Sequence, residues 1–126
     1  MSPVVAVAAG GAIGAALRYL AVQWMARAAP GLPWGTLFVN VLGSLLMGVA
    51  AAVILEKLPM GWGRLAPFVL SGLLGGFTTF SAFSLETVTL IERGQTGQAA
   101  LYVGLSVLGA VGGLALGMGA TRAVLT

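Results

Sequence analysis

The sequence contains no cysteine and no histidine, and only three acidic residues stand beside six basic ones in 126. Without thiols there is no disulfide framework and no thiolate metal site, and cysteine usage leaves the redox compartment unreadable. Without histidine the usual general base and a common metal ligand are gone, so metal enzymology is not expected. An intramembrane enzyme would need a nucleophile with a base, and the single lysine lies in a loop. Charged residues make up 7% of the chain and hydrophobic ones 59%, with a mean hydropathy of +1.04. That leaves too little polar surface to cover a soluble globule, and an all-α integral membrane protein is expected. The net charge of +3 comes from Arg and Lys at the ends of apolar runs, which places it at headgroup level. Neither a nucleic-acid partner nor a soluble protein partner is implied.

What is present is four apolar runs, each near the roughly 20 residues needed to cross a hydrocarbon core of about 30 Å. They extend from Pro3 to Ala28, Pro33 to Leu55, Leu65 to Ile91 and Gln98 to Val124, and together form a single four-helix transmembrane domain. The punctuation between them is Pro30-Gly31-Leu32-Pro33, then Glu56 to Arg64, then Glu92 to Gly97. These loops are too short for an extramembrane domain. The first run lacks a basic leader and is longer than a signal-peptide core, so it is expected to remain in the mature protein. Trp24, Trp34 and Trp62 fall near the run ends, where indoles sit well at a membrane interface.

Lys57, Arg64 and Arg122 would face one side of the membrane and Arg27 and Arg93 the other, three against two. Lys/Arg asymmetry in short loops sets orientation, so this near balance predicts that both orientations are populated. The closed assembly natural to such a chain is a dual-topology antiparallel homodimer, its two-fold axis in the membrane plane. Gly10 and Gly14 in the first run, and Gly109, Gly113 and Gly117 in the fourth, allow close helix approach. That approach serves packing within one chain or a seam between chains.

Polar residues inside the runs form stripes. Thr36, Asn40, Gly43, Ser44 and Met47 recur at three- and four-residue spacing, and so do Gln98, Tyr102, Ser106, Gly109 and Gly113. The third run carries the strongest signal, the stretch from Gly75 to Ser84. Gly72, Gly75 and Gly76 weaken a helix, Thr78 and Thr79 weaken it further, and the helix is predicted to unwind there and free carbonyls. A helix is broken at membrane depth only where protein, an ion or a water-filled cavity re-satisfies its backbone. Two such breaks facing each other would offer several oxygens to one monovalent cation. Phe80 and Phe83, three apart, share a face with Ser84 and Thr87. Ring edges carry partial positive charge, so they can face a small anion, as can an Asn40 N–H, without the deep trap of a full charge. Arg18 and Glu86 lie inside runs and are expected to snorkel to the interface. The functional alternative has Arg18 concentrating anions at a vestibule and Glu86 ordering hydrogen bonds at the far end of a pathway.

The segments Gly10 to Tyr19, Gly35 to Ser44 and Gly75 to Ser84 resemble the small bacterial fluoride channels known as the Fluc or CrcB family. The resemblance spans all four runs and implies passive fluoride export across the bacterial cytoplasmic membrane by an antiparallel homodimer with two pores. It implies a structural Na⁺ on the dimer axis, held by the backbone carbonyls of Gly75 and Thr78. It also implies Phe80 and Phe83 as ring-edge ligands and Asn40 as amide donor, with Ser84, Glu86, Tyr102 and Ser106 on a polar track. Ala82 departs from the family pattern, which usually has threonine there. A small multidrug exporter would share the four spans but place a carboxylate in the first, where this chain has Arg18.

Overall fold

A computed structural model describes residues 2–29 and 31–126; Pro30, read as part of the first loop, lies outside them. Helix α1 (Pro3–Ala28) begins where Ser2 caps it, its hydroxyl accepting from the Val5 N–H at 3.2 Å, with Pro3 in the first turn where no N–H is required. Helix α2 (Trp34–Ala51) runs on through wider turns from Ala52 to Lys57, which close with the Leu58 N–H donating five residues back to the Val53 carbonyl at 2.9 Å. A 3₁₀ turn, Met60–Arg64, leads into the third span.

That span begins with wide turns from Pro67 to Leu74 and a short piece of α3 (Gly75–Phe77). Thr78 and Thr79 are extended, with φ/ψ of −96°/160° and −152°/120°. Helix α4 (Phe80–Glu92) restarts with the Thr79 hydroxyl accepting from the Ala82 N–H at 3.1 Å. It ends on Gly94 at φ +77°, with Gln95 N–H donating to Leu90 and Gly94 N–H to Ile91, a Schellman closure that reverses the chain into α5 (Thr96–Val124). Counting the 3₁₀ turn with the third, the four spans among the described residues are Pro3–Ala28, Trp34–Lys57, Met60–Glu92 and Thr96–Val124, all long and apolar enough to cross a membrane.

The helix breaks later than the glycines predict. Gly72, Gly75 and Gly76 remain helical, and only Thr78 and Thr79 leave the helix. Close packing explains the shift. α1 lies along Pro67–Leu74 and α3, and a Cβ on Gly76 would stand 2.9 Å from the Gly11 carbonyl oxygen. The glycines give up helix propensity in return for backbone contact between the two segments. Gly10 and Gly14 fit the same seam, and a Cβ on Gly14 would collide with the Leu73 carbonyl. Gly109, Gly113 and Gly117 face Val41 and Leu45 of α2. Both glycine stripes therefore pack within one chain.

α2 and α5 form the second packed pair, and α4 leans on α5. The buried centre is small: Val39, Thr36 and Tyr102 are almost fully enclosed, with Leu90 and Ala99 beside Tyr102. Outward faces carry exposed Leu17, Leu20, Leu108, Val111 and Leu116. Such faces suit hydrocarbon, provided every backbone group is satisfied internally.

Candidate functional site

The extended pair Thr78–Thr79 ends one helix and starts another, which strips the carbonyls at the end of α3 of their usual partners. The Leu74 carbonyl takes both the Thr78 N–H (3.2 Å) and the Thr78 hydroxyl (3.1 Å). Arg18 reaches across from α1, and its Nε donates to the Gly76 carbonyl at 3.0 Å. Asn40 on α2 clasps Thr79 twice: its Oδ1 accepts from the Thr79 N–H at 2.7 Å and its Nδ2 donates to the Thr79 carbonyl at 3.0 Å. One Nδ2 hydrogen remains uncommitted. Among the described residues no side-chain hydrogen bond reaches the carbonyls of Gly75 or Thr78. Backbone acceptors at a break are suited chemically to a hard cation such as Na⁺.

Beside the break lies a cavity of about 400 Å³, lined by Asn40, Ser44, Thr79, Phe80, Phe83 and Ser106 with apolar walls from Val107 to Val111. Among the described residues no charged side chain lines it. Phe80 and Phe83 stand with ring centroids 5.4 Å apart and planes tilted 49°, and Phe83 continues to Tyr102 at 5.3 Å. Phe80 is 78% exposed, so in a single chain the cavity is walled on one side only. The Ser106 hydroxyl oxygen is buried and has no hydrogen-bond partner among the described residues, which is costly unless something else completes it. It sits one turn from Tyr102 on α5 and lines this cavity.

Glu86 stands between Thr36 and Tyr102. Its Oε2 accepts the Thr36 hydroxyl and its Oε1 the Tyr102 hydroxyl, both at 3.0 Å. Neither Glu86 nor Arg18 snorkels as expected. Each is half-buried and spent on a hydrogen bond inside the protein, which offsets the cost of placing it at depth. Ser84 is set apart from the other predicted residues. Its hydroxyl donates back to the Phe80 carbonyl at 3.0 Å, and it does not line the cavity. Sequence reasoning placed Thr36 and Ser44 on a polar stripe without assigning them to the site. The apolar wall at Ala110 continues the four-residue spacing of Tyr102 and Ser106 and was legible in that spacing alone.

The model of the family described as "CrcB-like protein, Camphor Resistance (CrcB)" matches residues 5–118. The chain belongs to the CrcB family. Similar curated proteins are named fluoride-specific ion channel FluC: one from Ruegeria sp. (strain TM1040) is 57% identical over 122 residues, 95% of this chain and 94% of that protein. Those from Cereibacter sphaeroides and Rhizobium meliloti are 54% and 50% identical, covering 97% and 92% of this chain and 96% of each relative. As a CrcB protein with four apolar spans, it is a multi-pass protein of the inner membrane and not an enzyme.

Proposed function

We propose that this CrcB protein is a fluoride-selective channel that lets F⁻ leave the cytoplasm passively, working as an antiparallel homodimer with two pores. The observation that carries the reading is the uncharged cavity at the helix break, where two phenylalanine rings, the Asn40 amide and the unpartnered Ser106 hydroxyl converge. A small, strongly hydrated anion gives up water only where donors and ring-edge dipoles replace it at close range, while narrowness excludes larger halides. A fixed cation in the wall would bind fluoride too well to release it. Arg18, tied to the Gly76 carbonyl near the break, raises local anion concentration at the entrance. Tyr102, Glu86 and Thr36 continue the polar line beyond Ser106. Relatives over half identical are named fluoride-specific channels, which agrees with this chemistry.

The near balance of loop cations supports dual topology, and the half-open cavity with its exposed Phe80 supports closure by a second copy. Inverted pairing would bring together two sets of Gly75 and Thr78 carbonyls. Na⁺ held there would neutralise converging negative dipoles and fix the two breaks against each other. The driving force is the membrane potential. Neutral HF enters through lipid, dissociates in a less acidic cytoplasm, and leaves an anion that a negative interior expels by about 2.3 kcal/mol per 100 mV.

The test is purified protein in liposomes loaded with equal fluoride and chloride, with valinomycin to set the potential. Fluoride efflux without chloride efflux is expected. Proton-coupled organic cation flux, or no flux of any kind, would overturn the reading in favour of an exporter or a packing subunit.

A further inference from the structure

The turn between the second and third spans does not contribute to the site above, yet its composition is specific. Met60 is 98% exposed and Trp62 55% exposed, while Leu65 and Leu55 flank them with their side chains outward. A loop bathed in water gains nothing by showing methionine and tryptophan, whereas a loop at the acyl boundary gains from both. Two cations share the segment. Glu56 is held by Arg122 at 2.7 Å, which cancels that pair. Lys57 and Arg64 meet no carboxylate among the described residues. The 3₁₀ turn Met60–Arg64 lies against the neighbouring segment Ala52–Lys57, so the two cations stand on adjoining stretches of chain. Beside Trp62 and Arg64 lies an open concavity of about 490 Å³ lined by Gly61, Trp62, Arg64 and Leu65. Nothing stands within 4 Å of where a Cβ would be on Gly61 or Gly63, so the hollow reaches bare backbone.

We infer that this turn is a docking surface for an anionic phospholipid, its phosphate against Arg64 and Lys57 and its glycerol and upper acyl carbons over Trp62 and Met60. Charge complementarity selects the anionic headgroup over a zwitterionic one. The exposed apolar side chains select a lipid over a soluble anion. The inference needs only the membrane location and stands whether or not the chain conducts fluoride.

The experiment uses the full chain with Trp24→Phe and Trp34→Phe, leaving Trp62 as the sole indole, reconstituted in bilayers containing brominated phosphatidylglycerol or brominated phosphatidylcholine. Quenching of Trp62 gives the relative binding of the two lipids. A preference of about twenty-fivefold for phosphatidylglycerol is expected, from two cations each favouring an anionic surface roughly fivefold. In K57Q/R64Q the preference falls to near one, and in the charge-preserving K57R/R64K it stays. Circular dichroism and size-exclusion profiles matched to the parent establish that each variant is folded. Equal quenching by both lipids in the parent, absence of quenching, or a preference unchanged in K57Q/R64Q would overturn the inference. So would its collapse in inorganic phosphate but not in sodium chloride of equal ionic strength, because that result marks a soluble-anion site.

Discussion

Replacing Asn40 by leucine keeps the branched shape of the side chain and removes both hydrogen bonds to Thr79, at 2.7 and 3.0 Å. The Thr79 N–H and carbonyl then stand unpaired in the middle of an apolar span, where water does not substitute. Each unsatisfied group costs roughly 1–3 kcal/mol, so the variant should lose about 2–6 kcal/mol, reduced by whatever relaxation the break allows. Asn40→Asp is a sharper probe. It keeps the acceptor for the Thr79 N–H but turns the donor into a second oxygen facing the Thr79 carbonyl, so it should destabilise the break and also repel an anion beside it. Thr79→Val, by contrast, removes the cap on the Ala82 N–H and an exposed 3.3 Å contact between the Thr79 and Ser81 hydroxyls, and should cost about 1 kcal/mol. The assay is reversible unfolding in mixed detergent micelles, read by tryptophan fluorescence, alongside fluoride efflux per reconstituted protein. If Asn40→Leu costs less than about 0.5 kcal/mol, the amide does not hold the break and the reasoning fails.

Three further outcomes are expected. Gly14→Val forces a side chain into the Leu73 carbonyl and should destabilise by about 1–3 kcal/mol or prevent folding, whereas Gly97→Ala, with nothing within 4 Å of its Cβ position, should be neutral or slightly stabilising; thermal unfolding of the two variants compares them. Phe80→Ile should cut fluoride efflux from liposomes while the cross-linked oligomer is retained, and unchanged efflux would remove the ring from the pathway. Lysines added beside Arg27 and Arg93 should drive tagged protein to one sidedness and impair assembly, and accessibility labelling that finds a single orientation in the unmodified chain would refute the balanced-charge argument.

Four apolar helices were legible because hydrocarbon thickness sets a length that composition alone reveals. The region of the break was legible too, since glycines and paired threonines are poor helix formers. The break falls on the two threonines, within the predicted stretch, while Gly72, Gly75 and Gly76 stay helical because they gain more from backbone contact with α1 than they lose in propensity. Thr79 leaves the helix because Asn40, 39 residues away in sequence, offers its backbone equal bonding. Such pairings across spans carry no local signature. Thr36 meets Glu86 across 50 residues, and Arg18 meets Gly76 across 58. The polar stripe on α2 announced a wet face, yet did not say that Thr36 and Asn40 would be committed to partners while Ser106 on α5 would not. The glycine stripes fitted packing within a chain and between chains equally well, and only the facing helices decide which holds.

On the proposed reading, the broken third span borders a route for fluoride and for no other halide. Single-protein recording in a planar bilayer with fluoride and chloride gradients set in opposition tests it most directly. The account predicts a current that reverses at the fluoride equilibrium potential and does not move when chloride is replaced. A reversal potential that follows chloride, or a silent membrane with correctly folded protein, would contradict it.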